Sequence, residues 1–221
     1  MAPPTLVMAT RNPGKIRELK ALLKDLGIKL LSLADFPELP EIPEKGATFY
    51  ENAAAKARQV AARTGLPALE DDSGLEVAAL NGRPGVYSAR YAQEQTFPAE
   101  PRDEDNWRKL LAELKGVPWE RRQARFVCEI ALALPDGQLF RTRGECRGRI
   151  AFNPRGAHGF GYDPVFWVPR YRRTMAELTP EVKNRISHRA RALGRLREIL
   201  TAVWPDLGRV APKRRDVAQS G

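Results

Sequence analysis

The hydrophobic pattern of this chain changes character along its length, and that change limits the folds open to it. Up to about residue 80, short apolar runs alternate with helical patterns. Leu6, Val7, Met8 and Ala9 read as a buried strand, and Asn12-Pro13 follows as a helix start, with Asn as the cap and Pro in the first turn. Ile16, Leu19, Leu22, Leu23 and Leu26 recur on one helical face until Gly27, and residues 28–33 return to a strand. A Pro- and Glu-rich loop covers 36–45. Thr48 and Glu51 then form a capping box that opens an Ala-rich helix to about Thr64. Strands are expected at 66–70 and 75–80, with a turn at Asp71-Asp72-Ser73-Gly74 between them. Later, 81–92 reads as loop and 103–114 as helix. Residues 125–134 and 138–150 flank Asp136-Gly137, a hairpin signal. A glycine loop over 159–166 leads into a short strand, and Thr179-Pro180 opens a final helix running to about Trp204. Strand–helix alternation followed by hairpins predicts an α/β fold with a mixed β-sheet.

The 221 residues suit one large domain or two closely joined lobes. Lys and Arg outnumber Asp and Glu by 37 to 27, a net charge of +10, which suits an anionic partner such as nucleic acid or nucleotide phosphates. Part of the excess lies in a basic tail over 208–221, which is expected to be disordered. For much of the remaining surface, arginine kept for solubility is the plainer account. No apolar run approaches membrane-spanning length, and the N-terminus lacks the basic and apolar regions of a signal peptide. Cys128 and Cys146 have neither metal nor redox spacing, so a cytoplasmic location with reduced thiols is expected. With only His158 and His188 in the chain, a histidine-built zinc site is not expected.

Four segments can carry chemistry. Thr10-Arg11-Asn12-Pro13-Gly14-Lys15 joins a strand to a helix N-terminus, where free N–H groups, the helix dipole and the Lys15 ammonium can converge on a phosphate. The plain alternative is a helix cap with a solvated lysine. In the Asp71-Asp72 pair, two adjacent carboxylates are costly unless a cation is held there. Asp72 is the candidate metal ligand and general base, and Ser73 the phosphate contact. An Asx turn is the alternative. In His158-Gly159-Phe160-Gly161-Tyr162-Asp163, two glycines allow close approach of a flat ligand, Phe160 offers a stacking face, and Asp163 can accept from a base N–H. Its spacing is not that of a dinucleotide-binding fingerprint, and taken alone a glycine-rich strand entry is the plainer account. Between Lys183 and Arg189, a helix would place Lys183 and Ser187 one turn apart, with His188 and Arg189 further on, and an Arg fork can bind a keto oxygen or a phosphate. A solvated basic face is the usual meaning of such a run.

Taken together and in this order, TRNPGK, TFYENA, EDDSGL, PGVYSARYA, GFGYDPVF, AELTPEVKN and ISHRARAL resemble the inosine triphosphate pyrophosphatase family, the dITP/XTP pyrophosphatases, from about Leu6 to Leu200. The resemblance implies an elongated mixed sheet flanked by helices, in two lobes with an active-site cleft between them, residues 1–207 forming one pyrophosphatase domain. It implies Mg²⁺-dependent hydrolysis of non-canonical purine nucleoside triphosphates (ITP, dITP, XTP, dXTP) to the monophosphate and pyrophosphate, and a homodimer to which residues 165–168 could contribute. On the matching positions, Thr10, Asn12, Lys15, Lys56 and Lys183 would meet the phosphates. Asp72 would be the base and a metal ligand, and Ser73 would contact substrate. Phe160, Gly161, Tyr162, Asp163, His188 and Arg189 would hold the base. Glu44 is favoured by position as the second metal carboxylate, with Glu41 and Glu51 close enough to compete. Glu70 stands where the family commonly has a small or apolar residue, and in a strand its side chain should point away from that of Asp71.

The implied selectivity has a physical basis. Hypoxanthine and xanthine present a 6-keto acceptor and an N1–H donor, and adenine presents the reverse. Arg189 toward O6 and Asp163 toward N1–H would leave adenine mispaired, a mismatch that can reject an analogue by as much as ~10⁴-fold. Guanine shares that edge, so its exclusion falls on the 2-amino group. Two rivals remain at this level: a pyrophosphatase for another modified nucleotide, and a nucleic-acid-binding module using the positive charge with Phe160, Tyr162 and Trp167.

Overall fold

The computed structural model describes residues 3–96 and 99–204. Its frame is a seven-stranded sheet in the order β2-β1-β3-β4-β5-β6-β7. The strands are β1 (Thr5–Met8), β2 (Lys29–Ser32), β3 (Ala68–Val77), β4 (Gln123–Ala133), β5 (Leu139–Ile150), β6 (Phe166–Val168) and β7 (Arg173–Thr174). β1 pairs in parallel with both β2 and β3, and every pairing from β3 onward is antiparallel. The sheet is therefore mixed, and the change of direction falls where the strand–helix alternation gives way to hairpins.

Helices α1 (Pro13–Leu23), α2 (Phe49–Thr64), α4 (Asp103–Glu113), α5 (Pro180–Ile186) and α6 (His188–Val203) cover the sheet, and a short α3 spans Gln93–Thr96. Leu19 and Leu23 of α1 and Leu193, Leu196 and Leu200 of α6 bury one face with Leu6, Met8, Leu69 and Ile130. The other face receives the small side chains of α2, where Ala53, Ala57 and Val60 meet Ala68, Ala131 and Ala133. Small residues on both sides let α2 lie close to the strands. A third cluster joins Leu110 and Leu114 with Leu75, Phe126, Ile150 and Phe166.

Two local expectations need correction. Asp71-Asp72-Ser73-Gly74 is not a turn. β3 runs unbroken through it, pairing Asp71 with Ile130, Asp72 with Glu129 and Gly74 with Val127. The Asp71 charge is tolerated because the distant Lys15 and Arg189 neutralise it, and Gly74 makes room for Ser88 and the Gly85 carbonyl where a Cβ would collide. The final helix is two helices. Ser187 is extended (φ −65°, ψ 159°), ends α5 and caps α6 by accepting from the Ala190 N–H, so Lys183 and Ser187 do not share a helical face. In the apolar 165–168 segment Val165, Phe166 and Val168 are buried, while Trp167 is half-buried and packs edge-on against Trp119.

The Thr48 cap forms by accepting from the Glu51 N–H, but the Glu51 carboxylate reaches back to the Ala47 N–H rather than to Thr48. Among the described residues no helix is long and apolar enough to cross a membrane. The tail at 208–221 lies outside the described residues.

Candidate active site

A cavity of about 420 Å³ opens where the sheet changes direction. Of the residues singled out from sequence, Thr10, Arg11, Asn12, Lys15, Glu44, Lys56, Asp72, Ser73, Phe160, Gly161, Tyr162, Asp163, Lys183, His188 and Arg189 all line it. Pro13 and Gly14 stand just behind, in the first turn of α1. A larger hollow of about 690 Å³, bordered by Glu51, Tyr87, Arg141 and Arg143, is lined by none of these fifteen residues.

At the α1 end, Asn12 caps the helix by accepting from the Gly14 and Lys15 N–H groups at 2.9 and 3.1 Å. Thr10 accepts from the Asn12 N–H, and Arg11 donates to the Leu39 carbonyl. Gly14 is required by contact, because a Cβ there would lie 2.8 Å from the Phe160 ring. Lys15 donates to the Asp71 carbonyl and lies 3.7 Å from its carboxylate. Burial opposes its charge, but Asp71, Glu70 and Asp72 outweigh that and hold the ammonium.

The two aspartates serve different sides of the sheet. Asp71 is fully buried and takes two bonds from Arg189, at 2.7 and 3.0 Å, and one from the Ser73 hydroxyl at 2.7 Å. Burial works against its charge, yet Arg189 and Lys15 keep it well below the usual carboxylate range. The Cys128 thiol also donates to it, and burial pushes that thiol up. Asp72 faces α2, lies against Asn52, and leaves Oδ2 buried without a partner among the described residues. Burial, with Glu44 adding and Lys15 opposing, pushes Asp72 up to about 6. Glu70, two residues back on the same side, is pushed up to about 7 by burial against the pull of Lys15 and Lys56, and its Oε2 is likewise unpartnered. The expected alternation of Glu70 away from Asp71 is what β3 adopts.

Opposite stands a wall built around Phe160 and Asp163. The Asp163 carboxylate accepts from the Phe160 N–H at 3.0 Å and from Lys183. Phe160 has the Lys183 and Arg189 cations 4.8 and 5.6 Å from its ring centre. The Gly161 N–H is held by Asp103 at 2.6 Å, while Tyr162 turns inward and donates to the Ser88 carbonyl at 2.8 Å. His188 stacks on Phe126 at 4.8 Å, and burial, reinforced by Arg189, keeps its imidazole well below the usual pKa. Its Nδ1 has no partner among the described residues.

Glu18 of α1 escaped sequence reasoning. It bridges Lys183, at 2.8 Å, and Arg189, so one carboxylate orders both cations. An acid on an amphipathic surface helix looks solvated from sequence, and only the packing of α5 and α6 gives it partners. Arg189, 1% exposed, bonds Asp71, Glu18 and Ser73 through four of the five N–H donors of a guanidinium.

The donor set suits a hard divalent cation that shares its shell with phosphate. Among the described residues no three His, Cys, Asp or Glu side chains form a metal cage. Mg²⁺ does not need one, since it commonly takes one or two carboxylates and completes its shell with phosphate oxygens and water. Asp72, with an unpartnered oxygen and Glu44 coupled to it, fits that requirement.

This cavity, with phosphate-type contacts at one end and a stacking wall at the other, is built for a nucleotide. The chain belongs to the Ham1 family, whose model matches residues 6–199. It is 55% identical over 195 residues to a dITP/XTP pyrophosphatase of Geobacter sulfurreducens, covering 88% of this chain and 96% of that one. Against a dITP/XTP pyrophosphatase of Shouchella clausii it is 51% identical over 201 residues, covering 90% and 98%. The solved structure of a HAM1 protein from Coxiella burnetii superposes with a TM-score of 0.80 at 46% identity, covering 90% of this chain and 99% of that one.

Proposed function

We infer that this chain hydrolyses non-canonical purine nucleoside triphosphates, ITP, dITP, XTP and dXTP, to the monophosphate and pyrophosphate, clearing them from the nucleotide pool. Support comes from relatives of about half identity named dITP/XTP pyrophosphatase. The observation that carries the mechanism is the placement of Asp72: an unpartnered buried carboxylate oxygen in the same cavity as Lys15 and the N-terminus of α1.

In this reading the triphosphate lies along Thr10, Asn12, Lys15 and Lys56, with Lys183 reaching it from the base side. Asp72 and Glu44 would hold Mg²⁺, which when bound would neutralise charge on the polyphosphate. The Asp72 carboxylate takes the proton of the water attacking the α-phosphorus, a role open to it because its Oδ2 has no partner among the described residues. Ser73 contacts the substrate. Phe160 stacks on the base, while Gly161, Tyr162 and His188 shape its pocket. Asp163 and the remaining donor of Arg189 read N1–H and O6. Lys15 and Lys183 receive the leaving pyrophosphate. The bond between the first and second phosphorus atoms is the one that breaks.

The same proposal takes residues 1–207 as one catalytic domain of two lobes acting as a homodimer in the cytoplasm, with nucleotide and neither nucleic acid nor membrane as partner. The two free, buried thiols support that compartment. The test is incubation with ITP, XTP, GTP and ATP, with and without Mg²⁺, resolving pyrophosphate from orthophosphate. IMP and pyrophosphate formed only with Mg²⁺ are expected. IDP with orthophosphate would refute the cleavage point, and equal turnover of dITP and dATP would refute the 6-keto selectivity.

A further inference from the structure

Helix α2 and strand β3 meet in matching register at the floor of the cavity. One helical turn from Asn52 to Lys56 rises about 6 Å, and two strand residues from Asp72 to Glu70 span about 6.6 Å. Asn52 therefore lies against Asp72, and Lys56 against Glu70. The Lys56 ammonium is shared between Glu70 Oε1 at 3.1 Å and Glu44 Oε1 at 3.3 Å. These two arms differ. Glu70 is 1% exposed on a central strand, whereas the Glu44 side chain is 30% exposed on a loop and has a second cation, Arg90, 3.9 Å away. One Lys56 contact is thus fixed by the sheet, and the other is yielding.

We propose that Glu70 is a positioning residue that anchors Lys56, and that Lys56 is a built-in counter-ion which the divalent cation displaces from Glu44. The inference rests on the assignment of Glu44 and Asp72 to the cation. Glu70 holds the ammonium on the β3 side, so Glu44 can turn to the ion while Lys56 keeps a buried partner. Without Glu70, the ammonium has Glu44 as its sole remaining carboxylate partner among the described residues and closes on it, and the ion must break that pair to enter. Glu70 thereby favours loading without ligating, and Lys56 opposes it until the ion arrives.

A double-mutant cycle on Mn²⁺ binding, followed by electron paramagnetic resonance without nucleotide, tests this. Glu70→Gln keeps the side-chain shape and removes its charge, and cooperative thermal unfolding reports that the variant is folded. Mn²⁺ affinity is expected to fall about tenfold, as for other partners just outside a metal's ligands. Lys56→Met is expected to tighten binding, and in that background Glu70→Gln should change nothing. Glu70→Asp, which keeps the charge but shortens its reach to Lys56, should weaken binding in the same direction as Glu70→Gln. An equal loss from Glu70→Gln with and without Lys56 would mean that Glu70 acts on the ion directly, and would overturn the inference alone. Wild-type protein that binds no Mn²⁺, or binds it equally after Asp72→Asn, would overturn the cation assignment and the inference with it.

Discussion

Asp71 and Asp72 are neighbours in the chain, yet they face opposite sides of the sheet: Asp71 is locked against Arg189, and Asp72 looks toward α2 with an oxygen to spare. One is a structural counter-ion and the other is available for chemistry. Substitution should separate them. Asp72→Asn is expected to abolish pyrophosphate release while thermal unfolding stays within a few degrees of wild type. Asp71→Ala takes two of the four hydrogen bonds from a guanidinium that is 1% exposed, so it should cost about 3–5 kcal/mol in denaturant unfolding.

Glu18 orders Lys183 and Arg189 together. Glu18→Gln removes the charge that both cations share, and the KM for ITP is expected to rise roughly tenfold, a loss equivalent to one charge-assisted hydrogen bond. Steady-state kinetics check this. An unchanged KM would mean that Asp163 and Asp71 suffice to place the two cations.

Phe160 packs its ring on Gly14 and carries two cations near its face. Phe160→Ala should remove about 1–3 kcal/mol of base stacking and appear as weaker binding of a non-hydrolysed inosine nucleotide. Calorimetric titration reads it directly.

His188 gives a pH signature. Its folded pKa is depressed by burial and by Arg189, while the unfolded chain takes a proton near the ordinary value of about 6.5. Protons bind the unfolded state preferentially as pH falls below that value, so stability falls with them, by up to about 1.4 kcal/mol per pH unit from this group. Denaturant unfolding of wild type against His188→Gln should therefore diverge below about pH 6.5 and run parallel above it. Parallel curves down to pH 5 would disprove the neutral imidazole.

Much of the architecture could be read locally. Asn12-Pro13 and Thr48 start helices where expected, Gly27 and Gly65 stop them in the left-handed conformation, and Asp136-Gly137 joins β4 to β5. The errors share a cause. Asp71-Asp72-Ser73-Gly74 has turn composition, but what makes it a strand is Lys15, 56 residues before Asp71, and Arg189, 118 residues after it. Ser187 is a helix cap hidden inside one continuous apolar period, because Ile186 and Ala190 preserve the face across the break. β7 is only two residues long and has no pattern to detect. In the site, residue types that announce chemistry were legible. Glu18 and Asn52, whose work depends on what packs against them, were not.

The break at Ser187 has an electrostatic result. It opens a second helix N-terminus, that of α6, beside the one at Asn12, and the first-turn residues of both line the same cavity. Each such end carries roughly half a positive charge from the peptide groups themselves. Together they form a standing attraction for anions that neither pH nor truncation of a lysine can switch off. Protein lacking both Lys15 and Lys183 should still retain pyrophosphate more strongly than an uncharged nucleoside.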